Sequence, residues 1–380
     1  MNGNKNIATF LVSCLVLIVF SNSKTAVSFN HSNNQLDKKK IRVAFILPFC
    51  ISQKNPTEKL LWEVSSSYYS GAKLALQQNV FDNTEIEVFT YDNEHNHEIT
   101  AQIVELPELS TMDIIFGPVG QKHYQILSSF SNKHSIPLIS PFSEINGSLE
   151  NPLLISIVGS KKTKVNHVVD LFREFFTGKS VVVIDDESSQ NQAFISILRE
   201  SLENNKIEYE WIKFSNIHSS NSTLQTVDNG LVFIPSNNRN VVSVSLGKLV
   251  EAGGNFTVLG MNKWSNWIGN EYAFWEKLNL HLLESNFTQP LDAQTRNIMH
   301  SYRQLNRMDM DKYAWAGYDQ TKFFISASIS LGSTFPFFIE NQKFFLNSSC
   351  LEFIGVNNRL ENKLWRVLQY HENQLIVLPE

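Results

Sequence analysis

Two short segments, Ile114-Ile-Phe-Gly-Pro118 and Ile136-Pro-Leu-Ile-Ser-Pro141, decide the fold of this 380-residue chain. Each is a run of apolar residues that ends at a proline, which is the pattern of a short strand buried on both faces of a sheet. Residues 124–134 lie between them and have apolar residues at helical spacing. A strand, a helix and a second strand at this pitch form a βαβ unit, and such units build a parallel sheet.

The same alternation extends in both directions from this unit. It predicts strands at 41–48, 86–91, 112–116 and 137–140, with helices at 66–78, 99–106 and 124–134. After a polar stretch at 144–151 it starts again, with strands at 153–157, 180–184, 207–214, 230–234 and 256–259 and helices at 164–176, 191–204 and 241–252. Helices at 292–307 and 318–331 and hairpin strands beyond residue 335 complete the chain.

This order predicts an α/β protein with two doubly wound parallel-sheet lobes around a cleft. We assign residues 41–151 and about 292–332 to lobe 1. Residues 152–291 and about 333–380 are assigned to lobe 2.

The N-terminus predicts export. Lys5 precedes the apolar run of residues 7–20, and small residues before Phe29 fit a cleavage site, so residues 1–28 read as a signal peptide. Residues 29–40 are polar and read as a tether. The expected location is the periplasm or cell envelope. A lipoprotein-like Leu11-Val-Ser-Cys14 leaves open a lipid anchor at Cys14, and we expect no other attachment to a membrane.

Composition and missing motifs exclude several functions. The formal net charge of −5 argues against a nucleic-acid partner. The sequence contains no phosphate-binding glycine loop and no G-x-S-x-G element, so we expect no cofactor, nucleotide chemistry or catalytic triad. His95 and His97 lack a third clustered ligand, so no metal site is expected. Besides Cys14, Cys50 and Cys350 are the only cysteines, and their pairing stays open.

Several segments resemble, in order, the type I periplasmic-binding-protein and receptor ligand-binding family. They are Ile41–Pro48, Tyr69-Ser-Gly-Ala-Lys-Leu-Ala-Leu76, Tyr91-Asp92, the two segments quoted first, and Ala316-Gly-Tyr-Asp319. Gly260–Trp264 and Tyr313–Asp319 are most similar to a bacterial group in which this fold is often joined to LysM modules. The resemblance implies a protein that binds at the cleft without catalysis.

In open α/β sheets ligands bind beyond the carboxyl ends of the strands. The loops there supply the candidate binding residues, which are Gln121, Lys122, Ser140, Ser143, Gln190, Ser236, Asn262, Lys263 and Trp264. Trp264 is a candidate for stacking on a ligand.

Amino-acid-binding members of the family use hydroxyl groups for the carboxylate and an acid from the second lobe for the ammonium. This chain has Gln121-Lys122 in the first loop and Asn262-Lys263 in the second lobe, so we expect no binding of free amino acids. Glu144 is the strongest objection, since its carboxylate is suited to an ammonium group.

The sequence therefore predicts an exported, non-catalytic ligand-binding or envelope scaffold protein. Its partner would be an unknown small molecule or a cell-envelope protein, including the peptidoglycan machinery. The alternative is a solute-binding receptor of an ABC-type amino acid or small-molecule transporter, and a hydrolase is a distant third. A scaffold would differ from a receptor by exposing an apolar patch.

Overall fold

The computed structural model describes residues 40–52, 55–78, 81, 84–145, 147, 149–227, 229–267, 272–288 and 292–378. The predicted signal peptide, the Cys14 anchor and all but the last residue of the tether lie outside the described residues. None of the helices within these ranges is long and apolar enough to cross a membrane.

The first half of the chain alternates strands with helices as predicted. The strands are β1 (Lys40–Leu47), β2 (Glu85–Asp92), β3 (Ile114–Phe116), β4 (Leu138–Ser140), β5 (Leu154–Ser156), β6 (Ser180–Asp185) and β7 (Tyr209–Lys213). The helices are α1 (Pro56–Gln77), α2 (His97–Val104), α3 (Gln121–His134), α4 (Lys161–Glu174), α5 (Gln192–Asn204) and α6 (Asn221–Thr226).

The second half continues the alternation and ends in hairpins. The strands are β8 (Gly230–Phe233), β9 (Phe256–Met261), β10 (His281–Glu284), β11 (Lys343–Phe345), β12 (Cys350–Val356), β13 (Arg359–Asn362), β14 (Arg366–His371) and β15 (Gln374–Val377). The helices are α7 (Arg239–Ala252), α8 (Tyr272–Trp275), α9 (Ala293–Asn306), α10 (Lys312–Leu331) and α11 (Pro336–Ile339).

The strands form two sheets of the same design. The first has eight strands in the order β11-β12-β13-β5-β4-β3-β1-β2, and the second has seven in the order β15-β14-β10-β9-β8-β6-β7. Pairing is parallel from β2 through β13 in the first sheet and from β7 through β10 in the second, and the terminal hairpin strands are antiparallel. The predicted fold class, two doubly wound α/β lobes, is confirmed.

Sheet membership corrects the boundary that the sequence suggested between the lobes. β5 pairs with β4 and β13 pairs with β5, so residues 154–156 and the strands β11–β13 belong to the first sheet and not to lobe 2. Of the C-terminal strands, β14 and β15 join the second sheet. Short apolar strands fit the edge of either sheet equally well, and only the tertiary pairing decides which sheet they join.

Helix α1 starts ten residues before the predicted start at residue 66. The Asn55 side chain accepts a hydrogen bond from the backbone N–H of Glu58, and Pro56 occupies the first turn, where its missing N–H costs nothing. The first turns lie on the surface, with Leu60 57% exposed, so they lack the apolar periodicity that marks a buried helix.

The glycines of two quoted motifs meet at the contact between α1 and α10. A Cβ at Gly71 would lie 1.8 Å from the carbonyl oxygen of Ala314, and a Cβ at Gly317 would lie 1.9 Å from that of Tyr68. The helices therefore touch backbone to backbone, which holds α10 against the first lobe although it follows the second lobe in the chain.

Candidate functional site

The predicted binding residues follow the carboxyl ends of strands in both sheets. Each lobe has the strand order 2-1-3-4-5 counted within that lobe, so the direction of winding reverses between β1 and β3 and again between β6 and β8. Loops diverge at such a reversal and leave a crevice, which is where doubly wound sheets bind ligands. The loops after β3, β4, β6, β8 and β9 carry the predicted binding residues.

In the first lobe the two predicted serines are bonded within the chain. Ser140 is fully buried, and its hydroxyl donates to the hydroxyl of Tyr124 at 2.7 Å, which in turn donates to the carbonyl of Pro118. The Ser143 hydroxyl accepts from the backbone N–H of Gly120 at 3.0 Å. These hydroxyls fasten the loop after β4 to the loop after β3.

Gln121 and Lys122 form the first turn of α3 and are both exposed. The N-cap residue of this helix, Gly120, has no side chain to accept from the first N–H groups. Behind them the ring of His123 is buried and lies 4.8 Å from that of His95. No group of three potential metal ligands occurs among the described residues.

Three aromatic rings pack against one another beside these loops. The ring of Phe142, which follows β4, packs edge-on against Tyr68 of α1 with centroids 4.9 Å apart and against Tyr313 of α10 at 5.8 Å. The sequence does not connect Phe142 with the two tyrosines, because they lie 74 and 171 residues away in the chain.

Glu144 bridges the lobes instead of standing free. Its carboxylate accepts from the backbone N–H of Lys161 at 3.3 Å and lies 3.5 Å from Nζ of Lys164, both at the beginning of α4. The position suits an acid, because the first turn of a helix carries unpaired N–H groups and a partial positive charge. The objection that Glu144 could hold a ligand ammonium is thereby weakened, since two lysines already face it.

In the second lobe Ser236 is buried and bonded to Asp186. Its hydroxyl donates to Oδ2 of Asp186 at 2.7 Å, which joins the loop after β8 to the loop after β6 across the reversal of winding. The side chain of Asn191 donates to the carbonyl of Pro235 in the same place. Gln190, by contrast, is exposed at the tip of its loop.

Trp264 is a core residue, which corrects the expectation that its ring lies open to a ligand. It has no exposed surface, its Nε1 donates to the carbonyl of Ser236 at 2.8 Å, and its ring stacks on Trp267 with centroids 5.8 Å apart. The Trp264 ring occupies the space that a side chain at residue 260 would need, because a Cβ at Gly260 would lie 2.4 Å from the indole. Its neighbours Asn262 and Lys263 are half-buried and exposed, respectively.

The structure adds an acid that sequence reasoning missed. Glu284 ends β10, is 8% exposed, and accepts from the hydroxyl of Ser265 at 3.2 Å. Burial raises the pKa of this carboxyl above its ordinary value, while hydrogen bonds and the charge of Lys312 on α10 oppose that shift. The sequence could have indicated Glu284 as a candidate, because it is the last residue of an apolar strand and ligands bind beyond the ends of such strands.

Solved structures share this architecture over nearly the whole chain. An ABC transporter substrate-binding protein from Desulfitobacterium hafniense in complex with Leu is 15% identical, with a TM-score of 0.52, covering 89% of this chain and 100% of that one. A branched-chain amino acid ABC transporter periplasmic ligand-binding protein from Burkholderia xenovorans is 11% identical, with a TM-score of 0.60 and coverages of 89% and 94%. Full-length LpoA from Haemophilus influenzae is 11% identical, with a TM-score of 0.61 and coverages of 91% and 60%.

No protein-family model matches the sequence, and no curated protein matches it either. The structural likeness, together with two sheets of equal strand order, defines the class: this chain has the type I periplasmic-binding-protein fold. At these identities the likeness shows the fold, and function has to be argued from the site.

Proposed function

We propose that this protein is an exported, non-catalytic binding protein of the cell envelope that contacts a partner protein at the edge of its cleft and does not bind free amino acids. The observation that carries the proposal is that the buried hydroxyls among the predicted ligand-binding groups, and the carboxylate of Glu144, are bonded within the chain. Ser140 donates to Tyr124, Ser236 donates to Asp186, and Glu144 faces Lys164. A receptor must offer partners for both charges of an amino acid, because an unpaired buried charge costs several kcal/mol.

Exposed apolar side chains at the first lobe favour a protein partner. Ile51, Leu60 and Trp62 are 76%, 57% and 37% exposed. They lie in the loop after β1 and in the first turns of α1, which start at the carboxyl edge of the first sheet, beside the cleft loops. Exposed apolar side chains near a cleft favour a protein-binding surface, which is the feature expected of a scaffold.

Isothermal titration calorimetry with the common free amino acids tests the first half of the proposal. We expect no binding tighter than about millimolar, near −4 kcal/mol. Saturable micromolar binding that disappears in Ser143→Ala would instead support a transporter receptor.

Screening the purified protein with esterase, peptidase, glycosidase and phosphatase substrates tests the non-catalytic assignment. The screen should give background turnover, and robust activity that is lost on one substitution would contradict the assignment.

Site-specific photo-crosslinking in the source cells tests the partner surface. A photoreactive residue at Leu60 should give a discrete crosslinked protein, and the same residue at the exposed Glu208 of the second lobe serves as the control. Equal or absent crosslinking at both positions would contradict the proposal.

The alternative is a solute receptor of an ABC-type transporter, and one observation favours it. Glu284 brings a buried carboxylate from the second lobe to the strand ends, close to Lys312 of the first. A pair of opposite charges at this junction is what a small zwitterion requires. Ligand-induced thermal stabilisation that is lost in Glu284→Gln would establish this alternative.

A further inference from the structure

A polar cavity of about 340 Å³ lies between the lobes, away from the cleft loops. One wall is made by α4 and the end of α5 of the second lobe, and the other by Ile354 of β12 and by Lys363, the residue after β13, of the first. Its polar lining consists of Thr163, Asn166, Asp170, Ser201, Asn205 and Lys363. The volume falls at the lower end of the range for small-molecule sites.

Three of these polar groups have no hydrogen-bond partner among the described residues. They are the carboxylate of Asp170, the side-chain amide of Asn166 and the hydroxyl of Ser201. The side chain of Asn205, in contrast, is engaged by Arg173 and by the carbonyl of Ser201. Asp170 and Ser201 are half-buried and Asn166 is exposed. The acid and the hydroxyl are suited to a ligand with several donors, because partly buried polar groups gain from being paired, and the amide lies in the same lining.

The charged side chains around the cavity indicate which charge a ligand would carry. Lys363 is already paired with Glu352, whose Oε1 lies 3.0 Å from its Nζ, and the other carboxylate oxygen of Glu352 is buried without a partner. Asp170 is the unpaired acid of the lining, and burial raises the pKa of its carboxyl above the ordinary value. Lys363 and Arg173 oppose that shift, and Glu174 and Glu352 add to it.

We propose that this cavity is a second binding site, which takes the ammonium group of a small polar amine such as an amino sugar or amino alcohol. Asp170 binds the ammonium group, and Asn166 and Ser201 bind the ligand's hydroxyl groups. Because the walls belong to different lobes, the occupied site joins α4 to the end of the first sheet. The proposal is independent of what the cleft loops bind.

Thermal unfolding and calorimetry of the full protein test this proposal with glucosamine, ethanolamine and putrescine as probes. We expect at least one amine to raise the melting temperature in a saturable way, with a dissociation constant below about 10 mM, since a ligand of the native state stabilises it by mass action. Glucose and ethylene glycol, which lack the ammonium group, should have no effect. Failure of all three amines, or equal stabilisation by the uncharged compounds, would overturn the proposal.

Two variants locate the binding. Asp170→Asn keeps the shape and removes the charge, and Ser201→Phe fills the cavity from a different helix, so each should weaken amine binding at least tenfold. Glu208→Gln, on an exposed carboxylate outside the cavity, should leave it unchanged. Binding that survives in either cavity variant would place the amine elsewhere. If Asp170→Asn fails to fold by circular dichroism, Ser201→Phe decides the outcome.

Discussion

Arg359 and Glu361 form a buried ion pair on β13, with 2.8 Å between Nη2 and Oε1 and with 2% and 1% of the side chains exposed. The same carboxylate accepts from the hydroxyl of Thr163 at 2.6 Å and from the backbone N–H of Ser160 at 2.9 Å, at the start of α4. Arg359 also donates to the carbonyl of Ile145. One pair thus fixes the point where the chain first crosses from one lobe to the other.

Removing the arginine should destabilise the protein strongly. Arg359→Met leaves the Glu361 carboxylate buried without its cation, and we expect the free energy of unfolding to fall by about 3–5 kcal/mol in urea denaturation. Arg303→Met, which breaks an exposed pair with Asp309, is the matched control and should change little. Equal effects of the two substitutions would show that the buried pair does not hold the crossover.

Trp264 should behave as a core residue. Trp264→Ala opens a cavity in the second lobe and should cost about 3–5 kcal/mol of unfolding free energy. Trp62→Ala removes the same ring from a residue that is 37% exposed and should cost much less. A stable Trp264→Ala variant that had lost binding of an aromatic-stacking sugar would restore the predicted ligand role of this residue.

The contact between α1 and α10 tolerates no side chain at its glycines. Gly317→Ala would place a Cβ 1.9 Å from the carbonyl oxygen of Tyr68, so we expect the variant to lose about 3 kcal/mol of unfolding free energy. In Gly247→Ala on α7 the added Cβ would meet no neighbouring heavy atom within 4 Å, so the free energy of unfolding should rise by about 0.5–1 kcal/mol through helix propensity. Circular dichroism during thermal unfolding measures both, and a destabilised Gly247→Ala would contradict the comparison.

His167 should make stability depend on pH. Burial lowers the pKa of His167 to about 4, from an ordinary value of 6.5, and its Nε2 accepts from the backbone N–H of Trp365. Between these two values the unfolded chain binds the proton and the folded chain does not, so acidification favours unfolding. The contribution is a loss of about 2 kcal/mol at pH 5 relative to pH 7, and the loss levels off as the pH falls below the folded-state pKa of about 4.

Urea unfolding of the wild type and of His167→Gln at pH 7, 6 and 5 isolates this group. The difference in unfolding free energy between the two proteins should shift by about 2 kcal/mol across the range, because the carboxylates titrate in both. A constant difference would show that His167 keeps an ordinary pKa in the folded protein.

The hydrogen bonds of the candidate site join side chains that lie far apart in the sequence. The sequence indicated which loops follow the strand ends, since apolar runs mark strands and ligands lie beyond their carboxyl ends. It did not indicate that Ser140 would be bonded to Tyr124 or Ser236 to Asp186, nor that Glu284 would be buried within electrostatic reach of Lys312. Whether a hydroxyl faces a ligand or a neighbour depends on rotamers and packing, which local patterns do not contain.

What the sequence by itself determined is the fold class and the order of its elements. Apolar runs such as Ile114–Phe116 and the helical spacing between them require parallel βαβ units, because the periodicity of burial is a local property. Only the tertiary structure decided that β5 and β11–β13 complete the first sheet, that Trp264 lies in a core, and that Gly71 and Gly317 meet. These are pairings between distant segments, and they are chosen by the shape and burial of the whole assembly, which no local stretch of sequence encodes.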